Sequence, residues 1–187
     1  MMKKLMKPLM VFCMISIMGL AVSPVKAQAF NNGDLVLNAG LGLGYAWSNG
    51  SSGSPALSVS LEKGIQNIDN LGILSIGGIA AYKSNSVSGF GYNYSWSDFY
   101  LGARAALHFR IVEVDKLDTY AGISLGLRFY STPVWNINNT QWDKGTGTSV
   151  FAGIYGGARY YFSNNWAAFS EIGYDISWLK LGVSYKF

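Results

Sequence analysis

The residues most able to do chemistry are charged side chains, scattered singly through segments in which apolar and polar residues alternate. Side chains at every second position of a strand point to the same face, so these charges are predicted to share the polar face of a sheet. Such a face could conduct ions, or it could hold charges that neutralise one another in pairs. We predict ion pairing, with the candidate residues Glu62, Arg104, Arg128, Arg159 and Glu171.

His108 is the single histidine, and it is the natural place to look for catalysis. A nucleophilic mechanism would need a serine or cysteine and an acid around it, and the residues next to it in the sequence, Phe109 and Arg110, supply neither. With one histidine and scattered carboxylates, there is also no cluster with metal-ligand spacing. The glycines of 40–44 alternate within a strand pattern and do not open a helix, unlike a phosphate-binding loop. We therefore predict no enzyme activity, no catalytic residue, no metal site and no cofactor.

The alternating segments that carry the charges are predicted to be eight β-strands. In the last one, WLKLGVSYKF over 178–187, apolar residues occupy every second position, which indicates one apolar and one polar face. Turn-forming residues separate the others. Two connections are predicted to be long: a loop or hairpin over 84–95, and an Asn- and Trp-rich loop over 130–148. The predicted bounds are about Leu35–Trp47, Ala56–Gly64, Leu71–Lys83, Trp96–Phe109, Leu117–Phe129, Ser149–Phe162, Trp166–Tyr174 and Trp178–Phe187.

The two faces of these strands indicate their surroundings. One face carries Leu, Ile, Val, Ala and aromatic residues, and the other carries Gly, Ser, Asn and scattered charges. Charged residues make up 13% of the chain, about half of their usual share in soluble domains, so too few remain to coat a water-facing exterior. We predict an all-β fold over residues 28–187: an eight-stranded antiparallel up-and-down transmembrane β-barrel with a lipid-facing apolar wall. Eight strands leave room for little more than side chains, so paired charges should plug the lumen, with Arg159 and Glu171 as diagonal neighbours.

A targeting segment precedes the predicted barrel. Residues 1–27 combine lysines at positions 3, 4 and 7 with an apolar run over 9–22 and small residues before Ala27, which is the pattern of a secretory signal peptide. Cleavage is predicted after Ala27, with Ala29 as the alternative. Four of the 14 basic residues would leave with this segment, so ten basic and ten acidic residues would remain. The basic balance is therefore a targeting feature, and we predict no nucleic-acid partner.

Three segments carry a family resemblance: DTYAGISLGLRF (118–129), GARYYFSNNWAAFSEIGYD (157–175) and the carboxy-terminal strand. They resemble the small outer-membrane β-barrels of the OmpA/OmpX type. The resemblance implies the outer membrane of a Gram-negative bacterium, with both termini in the periplasm and the wall in contact with lipid and lipopolysaccharide. It also implies insertion by the barrel-assembly machinery, which reads an aromatic carboxy-terminus such as Phe187.

Members of this class share a barrel and differ in their loops, so the loops are where function is expected. The aromatic residues of the predicted loops are candidate partner contacts; the alternative is that they pack on one another. We expect a non-enzymatic protein of envelope structure or surface interaction. An accessory subunit of a larger outer-membrane secretion, transport or assembly complex is the alternative, and a lipid A-modifying enzyme is a less favoured one. The candidate contact residues are Tyr92, Tyr94, Trp96, Trp135 and Trp142.

Overall fold

The computed structural model describes residues 29–44, 54–89, 92–109, 114–136 and 141–187, and the regular structure of these ranges is β-strand throughout. Each strand pairs antiparallel with the next, and the last pairs with the first, so the sheet closes on itself. The predicted eight-stranded antiparallel up-and-down barrel is therefore confirmed. The predicted signal peptide, residues 1–27, lies outside the described ranges. The strands are β1 (Leu35–Leu43), β2 (Ala56–Ile68), β3 (Gly72–Gly89), β4 (Tyr92–Phe109), β5 (Leu117–Asn136), β6 (Gln141–Tyr161), β7 (Trp166–Tyr174) and β8 (Leu179–Lys186).

The two ends of the barrel differ. At one end, called the turn end, lie both termini of the barrel and the connections β2–β3, β4–β5 and β6–β7. At the other, called the loop end, lie the remaining connections. Within the described ranges, no helix has the length and hydropathy needed to cross a bilayer.

The period-two pattern decides which side of the wall each residue occupies. On β1, Val36 and Asn38 are buried inside, while Leu37 and Leu41 are exposed outside. The same alternation holds around the wall: the outward positions are mostly apolar, and the inward ones mix polar and charged residues with apolar residues such as Val36 and Phe151. Because the ring has no edge strand along its closed wall, backbone N–H and C=O groups there are satisfied by the neighbouring strands.

Outward aromatic residues form two girdles with aliphatic residues between them. On β7, Trp166 and Tyr174 belong to opposite girdles and are eight residues apart, which is about 26 Å along a strand. At a strand tilt of about 40°, this spacing corresponds to a band about 20 Å tall, close to the apolar band of barrels in a membrane. The turn-end girdle contains Tyr160, Phe162, Trp166, Tyr185 and Phe187, and the loop-end girdle contains Tyr82, Phe99, Phe129, Tyr174 and Trp178.

The prediction of a long loop over 130–148 is wrong. Strand β5 continues to Asn136 and β6 begins at Gln141, so most of that segment is a β-hairpin. The sequence there lacks the apolar face of a wall strand, because this part of the hairpin stands above the apolar band; its polar composition therefore looks like that of a loop. The other long connection, 84–95, is predicted to be a loop or a hairpin. Strand β3 continues to Gly89 and β4 begins at Tyr92, so its described residues form a hairpin.

Among the described residues, four strands thus project beyond the rest of the wall. The ladder between β4 and β5 ends at Ser97↔Ser131, whereas the β3–β4 ladder runs on to Gly89↔Tyr92 and the β5–β6 ladder to Asn136↔Gln141. Above Ser97 and Ser131 the wall therefore splits into two two-stranded ribbons. We call them the first ribbon (84–89 with 92–96) and the second ribbon (132–136 with 141–145).

Residues from outside the strands close both ends of the lumen. At the turn end, Phe30 is 1% exposed and packs with Val36 and Ile73. At the loop end, the connection after β7 folds inward, and Ile176 packs with Tyr100 and Phe151 in an apolar cluster. Between these two caps, the lumen is filled by polar and charged side chains.

Candidate functional site

Arg159, on β6, lies in the half of the lumen nearer the turn end and is fully buried. Its guanidinium donates to both Glu62, on β2, and Asp118, on β5; the distance from Nη1 to the Asp118 carboxylate is 2.9 Å. Further donors reach Asn38 Oδ1 at 3.1 Å and Ser184 Oγ at 3.2 Å. One arginine on β6 therefore joins β1, β2, β5 and β8, and charge-assisted bonds of this kind are the stronger class of hydrogen bond.

Arg104 and Lys180 hold the part of the same network that lies nearer the loop end. Arg104 Nη2 lies 2.9 Å from both carboxylate oxygens of Glu171, and its guanidinium carbon is 3.8 Å from the centroid of the Tyr155 ring. Lys180 Nζ lies 2.8 Å from Glu171 and 2.7 Å from Asp175. Together with the contacts of Arg159, these pairs make up what we call the lumen network: Asn38, Glu62, Arg104, His108, Asp118, Arg159, Glu171, Asp175 and Lys180.

A serine–histidine–acid arrangement lies within this network. His108 Nε2 is 3.0 Å from Ser75 Oγ, and His108 Nδ1 is 2.8 Å from Asp118 Oδ1. These are the distances of a catalytic triad. However, Phe30 stacks on the imidazole with a centroid separation of 3.8 Å, and all three polar side chains are buried. No substrate can approach Ser75 in this arrangement, and Asp118 also carries the ion pair to Arg159.

Sequence reasoning missed Ser75 because it lies 33 residues before His108. The register of the β3–β4 hairpin places Ile73 opposite His108, so Ser75 is its diagonal neighbour on the lumen face. Asp118 is likewise diagonal to His108 across β4 and β5, since Tyr120 stands opposite the histidine. A hairpin register assigned from the turns would have found both neighbours.

Arg159 and Glu171 occupy the predicted diagonal positions but point to different partners. Arg159 faces Phe169 and Glu171 faces Gly157 in the β6–β7 ladder. Glu171 binds Arg104 and Lys180, whereas Arg159 binds the carboxylates of β2 and β5. Asp118 and Lys180 are the directly opposite neighbours of Arg159 and Glu171 on the next strands. The contacts Arg159–Glu62 and Arg104–Glu171 instead cross the lumen, because long side chains from facing walls meet in a barrel this narrow.

A separate charged group lies nearer the loop end. Arg128 donates to Asp98 Oδ1 from Nε at 3.0 Å and from Nη2 at 2.8 Å. Lys83 stands directly opposite Asp98 in the β3–β4 ladder. The Arg128 side chain is 20% exposed, in contrast to the fully buried Arg159.

Small residues on the lumen face make room for these side chains. A Cβ at position 157 would lie 2.8 Å from the Tyr120 ring and 2.9 Å from the carbonyl oxygen of Ser170. Real Cβ atoms do not tolerate such distances, so glycine is needed at this position. Tyr120 then extends across the lumen, and its hydroxyl donates to Glu171 Oε1 at 3.1 Å. The arrangement can hold charges in fixed pairs; the described lumen residues form no group of three or more His, Cys, Asp or Glu placed to hold a metal ion.

The predicted contact aromatics belong to the two ribbons. Tyr92, Tyr94 and Trp96 lie on β4, and Trp96 is half-buried. Trp135 on β5 stands opposite Trp142 on β6 in the ladder of the second ribbon. The side chains of the other four residues lie outside the described part of the structure, so only their backbone positions are established.

Comparison with known proteins yields no match to a family model and none to a curated protein. Among solved structures, the chain is similar to Ail, the attachment invasion locus protein of Yersinia pestis, in complex with the heparin analogue sucrose octasulfate. The TM-score is 0.51 at 14% identity, over 84% of this chain and 100% of the Ail chain. The chain has the fold of a small outer-membrane β-barrel. The N-terminal β-barrel domain of Pseudomonas aeruginosa OprF matches with a TM-score of 0.47 at 15% identity, over 83% of this chain and 98% of that one.

The similarity to Ail confirms, at the level of the fold, the resemblance seen in the sequence to small barrels of the OmpA/OmpX type. An identity of 14% carries no ligand and no activity from Ail to this chain. Small outer-membrane barrels share a wall and differ in what stands above it. The lumen network and the two ribbons are therefore the candidate functional features of this chain.

Proposed function

We propose that the chain is a non-enzymatic integral protein of the outer membrane, with a plugged lumen, that acts in surface interaction through its two ribbons. The observation that carries this proposal is the split of the wall above Ser97↔Ser131 into ribbons that extend beyond the other strands. The membrane location is supported by the aliphatic band and its two aromatic girdles. In this proposal the loop end faces the exterior, both termini face the periplasm and the signal peptide covers residues 1–27. The barrel-assembly machinery would insert the chain.

The ribbons offer backbone groups that a partner could pair with. Above Ser97↔Ser131 the β4–β5 ladder has ended. Among the described residues, 92–96 therefore has a ladder partner on its β3 side alone and 132–136 on its β6 side alone. Exposed strand edges pair readily with added strands, and several classes of proteins bind extended peptides in this way. Aromatic residues on the same ribbons would add side-chain contacts.

Trimming the ribbons tests the surface role. In the trimmed variant, residues 85–96 and 132–145 are each replaced by Asn-Gly, which joins two directly paired residues in a tight turn. The ladders below Ser84↔Ser97 and Ser131↔Thr146 are unchanged, so the barrel should still fold. Attachment to immobilised extracellular-matrix protein is then measured for non-adherent Gram-negative cells that display equal amounts of either form. We expect attachment with the full chain and its loss with the trimmed one; equal attachment would overturn the proposal.

A plugged lumen predicts the absence of a conducting path. The lumen network, Phe30 at the turn end and Ile176 at the loop end occupy the interior, and eight-stranded barrels leave little space beside their side chains. Recording from planar bilayers should therefore give no stable single-channel steps. Reproducible steps from the purified folded barrel would contradict the plug.

Native mass distinguishes a free-standing barrel from the alternative, a subunit of a larger secretion, transport or assembly complex. After gentle solubilisation of outer membranes, we expect the tagged chain as a single species near its own mass. A stoichiometric large complex would replace the free-standing role with the subunit role, and the trimmed variant would then show whether the ribbons hold the complex together.

A further inference from the structure

An outward-facing groove lies at the base of the second ribbon, just above the loop-end girdle. Its floor is formed by Phe129 and Ser131 on β5, and its volume is about 560 Å³. One side is formed by β4 and the other by β6, which contributes Lys144, Thr146 and Thr148. The groove lies outside the lumen and shares no residue with the lumen network.

The outward residues of β4, β5 and β6 form paired rows that continue from the wall below into the groove, and their chemistry changes from one row to the next. The paired row Leu101–Leu127–Val150 is aliphatic, and the next row toward the loop end is Phe99–Phe129–Thr148. The row above it is Ser97–Ser131–Thr146, in which the two serine hydroxyl oxygens are 3.1 Å apart. One row further along β6 is Lys144, opposite Pro133. Adjacent rows are about 6.6 Å apart along a strand, so the groove passes from hydrocarbon-like to hydroxyl-lined to cationic within about 20 Å.

Charge and position point to the occupant. Among the described outward positions of β4, β5 and β6 toward the loop end, Lys144 is the charged one, and it is exposed. Its sequence neighbour Asp143 lies on the opposite face of the ribbon, since successive side chains alternate. A cation and several hydroxyl donors placed directly above an aromatic girdle fit an anionic headgroup whose acyl chains lie along the aliphatic wall.

We propose that this groove binds the phosphorylated sugar headgroup of an outer-leaflet lipid, with Lys144 on a phosphate and the threonine and serine hydroxyls on the sugar. The acyl chains would pack beside Phe99 and Phe129, which are 42% and 41% exposed. This inference rests on the proposed location of the barrel, with its loop end in the outer leaflet. It does not depend on the surface interaction of the ribbons.

Lipid A with and without its phosphates tests the groove. The folded barrel in detergent micelles is titrated with bis-phosphorylated lipid A or with the same lipid A after removal of the phosphates, and the one-to-one complex is measured by native mass spectrometry. We expect the phosphorylated form to bind at least about tenfold tighter. Lys144→Ala should abolish this preference, because a charge-assisted contact to phosphate accounts for roughly that factor. Lys63→Ala is the matched control, since Lys63 is an exposed, outward lysine on β2 far from the groove, and it should keep the preference.

Heat-modified mobility on gels checks that each variant is folded. If Lys144→Ala does not fold, Thr146→Val takes its place, with an expected loss of about threefold in affinity for the phosphorylated lipid. Equal binding of the two lipids by the unaltered barrel would overturn the proposal. A retained preference in a folded Lys144→Ala variant, or an unchanged affinity in a folded Thr146→Val variant, would overturn it as well. Loss of cell attachment in the trimmed ribbon variant does not bear on this result, so the two proposals fail separately.

Discussion

Replacing Arg159 by methionine is the sharpest test of how the lumen is held together. Methionine keeps much of the side-chain volume but removes the charge that joins Glu62 and Asp118. Both carboxylates are almost fully buried, with side-chain exposures of 7% and 2%. After the substitution they would face each other's charge without the guanidinium between them, although Asp118 would keep its contact with His108.

The expected cost follows from this burial. Breaking a buried ion pair by removing one partner costs about 3–5 kcal/mol, because the remaining charge stays desolvated. We expect a loss of about 4 kcal/mol in the free energy of unfolding. With a urea dependence of about 2 kcal/mol per molar, the midpoint of unfolding should fall by about 2 M.

Reversible urea unfolding in lipid vesicles, followed by tryptophan fluorescence, measures this loss. Arg128→Met is the matched control: Arg128 is partly exposed and pairs with Asp98, which also faces Lys83, so we expect a smaller loss of about 1–2 kcal/mol. The triple variant Arg159→Met, Glu62→Gln, Asp118→Asn removes all three charges and should recover at least half of the loss, since neutral isosteres need no counter-charge. An Arg159→Met barrel within about 1 kcal/mol of the parent would refute this account of the lumen.

Three further tests, two of them with a matched control substitution, probe the turn-end cap, the crowded lumen and the lipid-facing wall. Phe30→Ala removes a ring that is 1% exposed and should cost about 3 kcal/mol in urea unfolding; a loss below about 0.5 kcal/mol would mean that the cap is not packed. Gly157→Val should destabilise by about 1–3 kcal/mol because of the contacts with Tyr120 and Ser170. Its neighbour Gly156 faces outward, and a Cβ there would make only an ordinary contact at 3.7 Å, so Gly156→Val should cost little; equal effects would contradict the inward and outward assignment. Leu125→Arg, in the aliphatic band, should lower the free energy of unfolding in vesicles by about 2–4 kcal/mol. Its control Thr148→Arg, at the loop-end girdle, should lower it by only about 0–1 kcal/mol. The reverse order would place the bilayer elsewhere on the wall.

The closed wall could be predicted from the sequence because its cause is local. Each wall strand must present apolar residues to one side at a period of two, and this requirement is visible in segments such as 178–187 without knowledge of their partners. Above the apolar band the requirement ends. The ribbon over 132–145 therefore has no continuous apolar face, and its sequence resembles a loop although it is paired throughout its described length.

The ion pairs that cross the lumen could not be predicted, for a different reason. Arg159 and Glu62 are 97 residues apart, and Arg104 and Glu171 are 67 apart. Which side chains meet across a narrow lumen depends on strand order, shear and side-chain length together. The sequence pattern identified residues that face inward, and hairpin register accounts for Arg159 with Asp118 on the next strand. Only the closed ring shows that Arg159 also binds Glu62 on β2 and that Arg104 binds Glu171 on β7. Phe30 was missed because it precedes the first strand and belongs to no alternating pattern.

Labelling of single cysteines in intact cells tests the central claim, an outer-membrane barrel with its ribbons outside, most directly. The natural Cys13 falls in the predicted signal peptide, so Val134→Cys on the second ribbon and Asn164→Cys at the turn end each give one thiol in the mature chain; both positions are exposed. With a membrane-impermeant maleimide, we expect labelling at position 134 in intact cells and at position 164 only after the cells are broken. Labelling at position 164 alone in intact cells would contradict the orientation, and equal labelling of both positions only after breakage would contradict the surface location itself.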